Sequence, residues 1–575
     1  MAFVVFALVA KPGTLFYEEK VYIHYLSSII SDFDFNIINQ VPRPMAWLVT
    51  NTYFHPDPHT ESQSALFFPF YLLELVTKTL SFTKVSPLAH EFQFALTSLA
   101  TNLFSLFLGF YFLFEICKKI DIKAKATDFV VFTLGTAFFY FSFLQTSVLE
   151  VTAFPLLAYL LLVYFNLRDK QNPHSPAVVG LVCGFLFIAK VTFWPACLSI
   201  ACLFSLNLFK KRQWPNLAYF LSAFSAVLFA STVNKFIKYG YFFPPAPPLS
   251  HFFTFSTENL GRNLLFGFFP EGGLFYANPL YFVSIVGWIM LLANLFTQKK
   301  ISFFFLASSA IWFSLIFLGN LGMIGYIVED HLPGRIHLAF LPWLAIGLVY
   351  LRNIFSEKFH LGLRYFSYVC VAWHLVITAS YVVLIQGSSF VYSTNMLPKW
   401  EVFADLWPRY FVRISENASG IAAHFPQIVL FAGLLSLIFY SVFNSSHRGK
   451  ILRIFVFCCA LIFVSMTGLN LFFHSKNIQI MKEQGRFNEV AIGNGPEIYY
   501  LELVLQYITT AKTRCNPAIC EKLDSGLKNY YTAVATQIVK STKELDHAIE
   551  TNSASFSYWV SMENEKLKHE LIQKR

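Results

Sequence analysis

The chain has 575 residues, of which 56% are apolar and only 13% charged, and its mean hydropathy is +0.53. A soluble domain carries about 25% charged residues, so a soluble enzyme, a disordered chain and a fibrous protein are excluded and an all-α polytopic membrane protein is expected. The formal charge of +10, from 43 Lys+Arg against 33 Asp+Glu, would suggest nucleic acid in a soluble chain. In a membrane chain it reports basic cytoplasmic loops and implies a bilayer, with no nucleic-acid partner.

A spanning helix needs about 20 mostly apolar residues. Residues 1–10 resemble a signal-peptide core, but no basic region precedes them and no small-residue cleavage site follows; with Leu15 and Phe16 they read instead as a first helix, truncated by a wrong start codon. Apolar runs follow at 92–116, 129–144, 151–165, 177–189, 191–209, 217–233, 280–296, 301–318, 338–351, 365–385, 421–443 and 451–473. Together these predict about 13 transmembrane helices.

Basic residues follow alternate spans: Lys118, Lys119, Lys123 and Lys125 after the second, Arg168 and Lys170 after the fourth, Lys210, Lys211 and Arg212 after the sixth. Lys299 and Lys300 follow the eighth, Arg352, Lys358 and Arg364 the tenth, and Arg448, Lys450 and Arg453 the twelfth. The positive-inside pattern predicts a cytoplasmic N-terminus and an extracytoplasmic C-terminus. The outer face then receives a large first loop, 11–91, further loops at 234–278, 319–337 and 386–420, and the tail 474–575. The division expected is a transmembrane domain, 1–473, and a small extracytoplasmic helical domain, 474–575, where the composition turns Lys/Glu-rich with helix-like stretches at 499–513 and 527–550. Cys515 and Cys520 in this tail are spaced for a small disulfide ring on an oxidising face. The other seven cysteines lie in or beside spans and read as packing residues.

The first outer loop concentrates polar residues that an apolar setting does not explain. Glu18-Glu19-Lys20-Val21-Tyr22 puts two adjacent carboxylates at the membrane surface, where they repel each other and resist ionisation. A metal, a basic ligand or a reacting hydroxyl would justify the pair, and ordinary solvated interfacial charges are the alternative. Val21, Tyr22, Tyr25, Leu26 and Ile29 are apolar at helical spacing, which predicts an amphipathic helix along the membrane. Asp32-Phe33-Asp34 follows, then His55-Pro56-Asp57-Pro58-His59-Thr60-Glu61, leading into an apolar segment, 65–73, that contains Pro69 and is too short to span.

Glu18-Glu19-Lys20-Val21-Tyr22 followed by Ser27-Ser28-Ile29-Ile30-Ser31-Asp32-Phe33-Asp34 resembles the first-loop motif of bacterial GT-C glycosyltransferases, including protein mannosyltransferases and lipid A aminoarabinose transferases. In that motif Asp-Glu-x-x-Tyr precedes Asp-x-Asp. Residues 180–193 with Lys190 resemble the family's Gly-x-x-x-Gly…Lys segment, and 268–279 with Gly273-Leu274-Phe275-Tyr276 and Pro279 its Gly-Leu-Phe-x-x-x-Pro loop. Residues 331–341 with Gly334-Arg335 and Pro342 resemble its Gly-Arg…Leu-Pro turn, and 59–69 its His…Pro segment. The resemblance covers about residues 1–390. Glu18 stands where the family has Asp, one methylene longer, so either Glu18 or Glu19 can hold the catalytic position.

The resemblance implies a GT-C-like fold in the cell (inner) membrane of a bacterium and a polyprenyl-phosphate sugar donor. The acceptor is a glycan, lipid or protein at the outer face, and transfer is a single displacement with inversion. Glu18 is the first candidate for general base, with Glu19 and Asp34 orienting the acceptor or holding a divalent metal, Mg, Mn or Ca. Lys190 and Arg335 are the expected donor-phosphate contacts, against interfacial snorkelling for Lys190 and an ion pair with Glu329 or Asp330 for Arg335. Tyr22, His59, Glu61, Glu150 and Arg262 are further candidate substrate contacts; solvation, a polar turn and lipid headgroups are the plainer readings of the last four. A transporter or flippase of a lipid-linked saccharide is the rival reading. It expects paired, interrupted midplane helices with ionisable residues at mid-depth. A non-catalytic scaffold presenting the tail is the third.

Overall fold

The computed structural model describes residues 25–36, 64–81, 87–144, 149–167, 174–239, 274–317, 336–354, 357–387, 424–442, 444 and 448–483, and among them every regular element is helical. Among these residues, eight helices are long and apolar enough to cross a membrane. Three shorter apolar helices accompany them: α7, Pro176–Ala189; α8, Trp194–Lys210; and α12, Phe303–Phe317. The chain is thus a multi-pass, all-α protein among its described residues.

The remaining elements are, in chain order, α1 (25–31), α2 (Ser64–Leu80), α3 (Pro87–Lys119), α4 (Ala126–Leu134), α5 (Ala137–Phe139), α6 (Leu149–Asn166), α9 (Trp214–Tyr239), α10 (Leu274–Ala277) and α11 (Pro279–Thr297). Then come α13 (Leu341–Ile354), α14 (Glu357–Gly387), α15 (His424–Val442) and α16 (Arg448–Glu483). Proline opens several of them, at Pro176, Pro195 and Pro279, where the missing N–H is one the first helical turn leaves unbonded in any case. The helix α2 carries Pro69 in its interior, and its apolar run continues helically to Leu80. The apolar stretch expected at 129–144 is not one straight span. It breaks after α4, and the two helical pieces meet at 84°. Gly135 closes α4 through its N–H to the Val131 carbonyl, and Thr136 is extended, with φ −138° and ψ 163°. A π-helical turn, Tyr140–Leu144, follows α5. Gly-Thr inside an apolar run is the local signal for such a break.

The chain divides into two compact units. The first comprises 1–23, 60–229 and 249–464, and the second 24–59, 230–248 and 465–575. The composition shift at His474 falls inside α16, which stays helical to Glu483.

In the first unit, α6 and α13 are apolar on nearly every face and buried almost throughout, so they form its core. The helices α3 and α6 pack along their lengths, as do α11 and α13. The second pair is in backbone contact. A Cβ on Gly287 would lie 2.1 Å from the Gly347 carbonyl oxygen, and one on Gly347 would lie 2.4 Å from that of Ser284. Small residues at such crossings let helices meet without a hydrophobic drive, which lipid does not supply. By contrast α9 and α14 present Tyr219, Phe229, Tyr365 and Val369 outward, each more than 60% exposed, as lipid-facing helices do.

Three of the basic stretches meet at one end of this unit. Lys300 Nζ lies 2.9 Å from Asp121 Oδ2, Arg352 pairs with Asp128, and Asn353 Nδ2 donates to the Lys123 carbonyl at 3.0 Å. Tyr164, near the C-terminus of α6, accepts the Ser302 N–H at 3.1 Å and so belongs to the same end. Glu150, at the N-terminus of α6, therefore sits near the opposite end, about 1.5 Å per residue away along an 18-residue helix.

Candidate functional site

Two polar centres stand out among the described residues, one in each unit, and each is built differently.

In the first unit, α7 ends at Lys190, whose φ of −160° and ψ of 142° turn the chain out of the helix. A 3-10 turn, Val191–Phe193, carries it into α8, closed by the Phe193 N–H on the Lys190 carbonyl at 3.1 Å. The turn is pinned from three directions. Trp194 Nε1 donates to the Phe187 carbonyl at 2.7 Å, the Phe187 and Trp194 rings stack 4.7 Å apart, and Trp312 Nε1 donates to the Thr192 carbonyl at 3.1 Å. From this fixed turn Lys190 reaches the carboxylate of Glu150 in the first turn of α6. The Glu150 side chain is fully buried, while that of Lys190 is 32% exposed. The pairing uses Glu150 Oε1; the buried Oε2 has no hydrogen-bond partner among the described residues. The two residues that the sequence singled out separately thus form one ion pair. Both glycines of the Gly-x-x-x-Gly segment pack against α9: a Cβ on Gly180 would meet the Phe220 carbonyl oxygen, and one on Gly184 would lie 3.1 Å from that of Phe224.

In the second unit, α1 buries Tyr25, Leu26 and Ile29, as its apolar spacing predicts, together with Ser28, and the chain then turns through Asp32–Asn36. Phe33 adopts φ 62°, the left-handed region, which reverses the chain so that Asp34 faces back toward Ser28. Asp34 is 2% exposed. Its Oδ1 accepts from Ser28 Oγ and from the Asn36 N–H, both at 2.9 Å, and its Oδ2 accepts from Asn477 Nδ2 at 2.9 Å. Asn477 also donates to the Asp32 carbonyl at 2.8 Å, and Asn470, two turns earlier on α16, accepts the Phe35 N–H at 2.9 Å. Asn470 Nδ2 in turn donates to Asn234 Oδ1 at 3.1 Å, and Asn234 donates to Thr467 Oγ1 at 3.0 Å. Phe33 packs on Phe473 and Tyr25 on Phe35, closing the turn with aromatic contacts. Burial pushes the Asp34 carboxyl up to about 6, with Asp32 adding to the rise, while the hydrogen bonds from Asn477, Ser28 and Asn36 hold it back.

That shift gives a pH prediction. Because the folded pKa lies above the usual 3.8, the native state holds the Asp34 proton more tightly than the unfolded chain. The resulting stabilisation is full below about pH 4 and is lost as pH rises through about 6, roughly 3 kcal/mol for two units. The thermal midpoint of wild type minus that of Asp34→Asn is expected to fall between pH 4.5 and 7.5. A flat difference over that range would mean that the carboxyl titrates as it does in water.

Two more buried acids, Glu74 and Asp128, were not singled out from the sequence. Glu74 of α2 is 2% exposed; its Oε2 accepts the Thr97 N–H at 3.0 Å and the Thr97 hydroxyl. A single carboxylate within an apolar helix, Leu72-Leu73-Glu74-Leu75-Val76, was the available signal. Asn234, Asn470 and Asn477 were likewise missed, because asparagine in or near a span reads as an ordinary polar interruption. The 274–279 segment of the glycine-leucine-phenylalanine loop is strapped to α14. His374 Nδ1 donates to the Ala277 carbonyl at 2.8 Å, and Trp373 Nε1 donates to that of Tyr276 at 2.7 Å.

The expected residues Glu18, Glu19, Tyr22, His59, Glu61, Arg262 and Arg335 lie outside the described residues, as do Cys515 and Cys520. The other seven cysteines are free thiols, five of them buried and Cys202 and Cys458 exposed. No group of three or more His, Cys, Asp or Glu side chains able to hold a metal ion occurs among the described residues. Asp34, the described member of the expected carboxylate set, already receives three hydrogen bonds.

The chain was compared with protein-family models, with curated proteins and with solved structures. It matches none of them.

Proposed function

We propose that this chain is a membrane glycosyltransferase that moves a sugar from a polyprenyl-phosphate donor to a glycan, lipid or protein acceptor at the outer face of the membrane. The observation that carries the reading is the Glu150–Lys190 pair. A lysine rigidly presented at the end of apolar helices, at the opposite end of its unit from the basic loops, suits a phosphate carried by a lipid. The first-loop carboxylates and the sequence order of the five motifs supply the rest of the support. With the basic loops cytoplasmic, the N-terminus is inside and the pair faces out.

In the reaction the acceptor oxygen attacks the anomeric carbon from the face opposite the phosphate, and the bond from that carbon to the phosphate oxygen breaks with inversion. The leaving phosphate takes the bonding electrons. Glu18, or Glu19 in its place, takes the acceptor hydroxyl proton, which raises the nucleophilicity of the oxygen as the new bond forms. Lys190 turns a second N–H to the phosphate, whose charge grows in the transition state, while staying paired with Glu150, and Arg335 adds a second cation. Glu150 keeps the ammonium in place before the donor arrives, so the cation is already positioned when charge develops. Asp34 acts through structure: it locks the turn after α1, a positioning role for the first loop.

Mass spectrometry of lipid-linked sugars and surface glycans in cells expressing Glu18→Gln or Glu19→Gln at wild-type level tests the reading. Loss of one modified glycan with accumulation of its lipid-linked donor, by 100-fold or more in the ratio as roughly expected for a lost general base, supports it. Unchanged glycans and donors in both variants would sink it. One observation favours the transporter: the 84° break between α4 and α5 is the kind of interrupted helix on which transporters build sites. The same cells separate the two readings. A donor that accumulates where an external glycosidase can reach it points to a failed transferase, and one that accumulates out of reach points to a failed flippase.

A further inference from the structure

Opposite the Glu150–Lys190 end, where the basic loops meet, α4, α13 and α14 enclose a cavity of about 260 Å³. Its charged groups are Lys125, Arg352 and Arg364 against one carboxylate, Asp128, with the hydroxyls of Thr127, Ser367 and Tyr368 beside them. Asp128 is committed twice, to the Lys125 backbone N–H at 2.9 Å, where it closes the first turn of α4, and to Arg352. Arg352 thus forms a fixed floor, 19% exposed, and Lys125 and Arg364 form an exposed mouth. Arg364 is itself oriented: its Nε donates to the Tyr368 hydroxyl at 2.9 Å, and the guanidinium carbon lies 5.6 Å from the centre of that ring.

The other wall is apolar, made by Val131, Leu348 and Leu363. Beyond it the surface continues as large exposed apolar side chains: Val130 on α4 and Leu361, Tyr365, Phe366 and Val369 on α14, between 49% and 65% exposed. In a membrane chain such a surface meets acyl chains. A cavity with an excess of positive charge on one side that opens onto a lipid-facing surface matches an amphiphile carrying a phosphate ester. A soluble phosphate compound shares the anion but gains nothing from the apolar wall.

We propose that this cavity binds the phosphate-bearing headgroup of an anionic phospholipid from the leaflet beside the basic loops, with Arg364 and Lys125 clasping the phosphate over the Arg352–Asp128 floor. The site is separate from the donor site and does not depend on the proposed reaction. Charge near a membrane surface attracts anionic headgroups by about 1 kcal/mol per basic side chain, close to fivefold in affinity. The apolar wall then makes the complex one of lipid rather than of free phosphate.

The test is equilibrium binding of phosphatidylglycerol with a fluorescent acyl chain to the full chain in neutral detergent micelles, with phosphatidylcholine of the same tail as reference and inorganic phosphate as competitor. Phosphatidylglycerol is expected to bind at least tenfold more tightly than phosphatidylcholine. Lys125→Gln/Arg364→Gln is expected to weaken it by about 25-fold, two charges at the fivefold above, and Arg364→Lys by far less. Both side chains are exposed, so the thermal midpoint of the double variant is expected to stay at the wild-type value, which confirms folding. Equal affinity of the double variant and wild type for phosphatidylglycerol overturns the proposal. So does inorganic phosphate that binds as tightly as the lipid and displaces it completely at equal concentration, which would make the cavity a site for soluble anions.

Discussion

Lys190→Ala is expected to lower the stability of the folded chain by about 3 kcal/mol, because it leaves the Glu150 carboxylate buried with no counter-charge. Removing one partner of a buried pair typically costs roughly 3–5 kcal/mol, and the one-third exposure of Lys190 puts this case at the low end. Glu150→Gln is expected to be milder, since the remaining ammonium can turn to water. The double variant Glu150→Gln/Lys190→Met removes both charges together and is expected to recover to within about 1 kcal/mol of wild type. Thermal unfolding of the purified chain reads these three values.

The double variant also separates structure from chemistry. If Lys190 meets the donor phosphate, the refolded double variant stays inactive while its lipid-linked donor accumulates, and Glu150→Gln retains most activity. A double variant that regains both stability and wild-type glycans would reduce the pair to a structural strut. Lysine replaced by alanine alone cannot make this distinction, because loss of the fold and loss of the phosphate contact give the same cellular phenotype.

The second large effect is structural. Gly347→Val places a branched side chain where even a Cβ lies 2.4 Å from the Ser284 carbonyl oxygen and 2.6 Å from the Trp288 nitrogen. The obstacle is backbone, not the tip of a flexible side chain, so α11 and α13 have to separate along their contact. Overpacking a core costs about 1–3 kcal/mol when side chains can give way, and more is expected here because they cannot. Little folded protein should survive extraction and size-exclusion chromatography, whereas Gly362→Val, at a helical glycine with nothing near its Cβ, should behave as wild type. A Gly347→Val chain that elutes and melts like wild type would show that the two helices do not touch at this crossing.

The helical, multi-pass character was legible in the sequence because apolar runs of spanning length and loop charge are local properties, readable one segment at a time. Against the roughly 13 spans expected, eight helices among the described residues are long and apolar enough to cross a membrane, and the run at 129–144 is broken at Gly135-Thr136. The meeting of Lys300 with Asp121 and of Arg352 with Asp128 at one end of the first unit agrees with alternate basic loops sharing a side. Asp34, Lys190 and Glu150 were legible as unusual polar residues against an apolar background.

Their partners were not. Hydropathy singles out a charge that lacks an excuse but does not say which distant group provides one, since that depends on how helices cross. Lys190 lies 40 residues from Glu150, and Asp34 lies 443 residues from the Asn477 that caps it. Asn470 and Asn477 matter because a helix places residues seven apart on one face, and only the folded chain shows that this face meets the turn after α1. The cavity under Arg364 likewise exists only where three helices from separate parts of the chain converge. Composition and periodicity alone therefore determined that this chain is helical and belongs in a bilayer, because lipid imposes the same demand on every span. Tertiary structure decided which polar groups neutralise one another, because desolvated charges must find partners in space and the sequence does not record those distances.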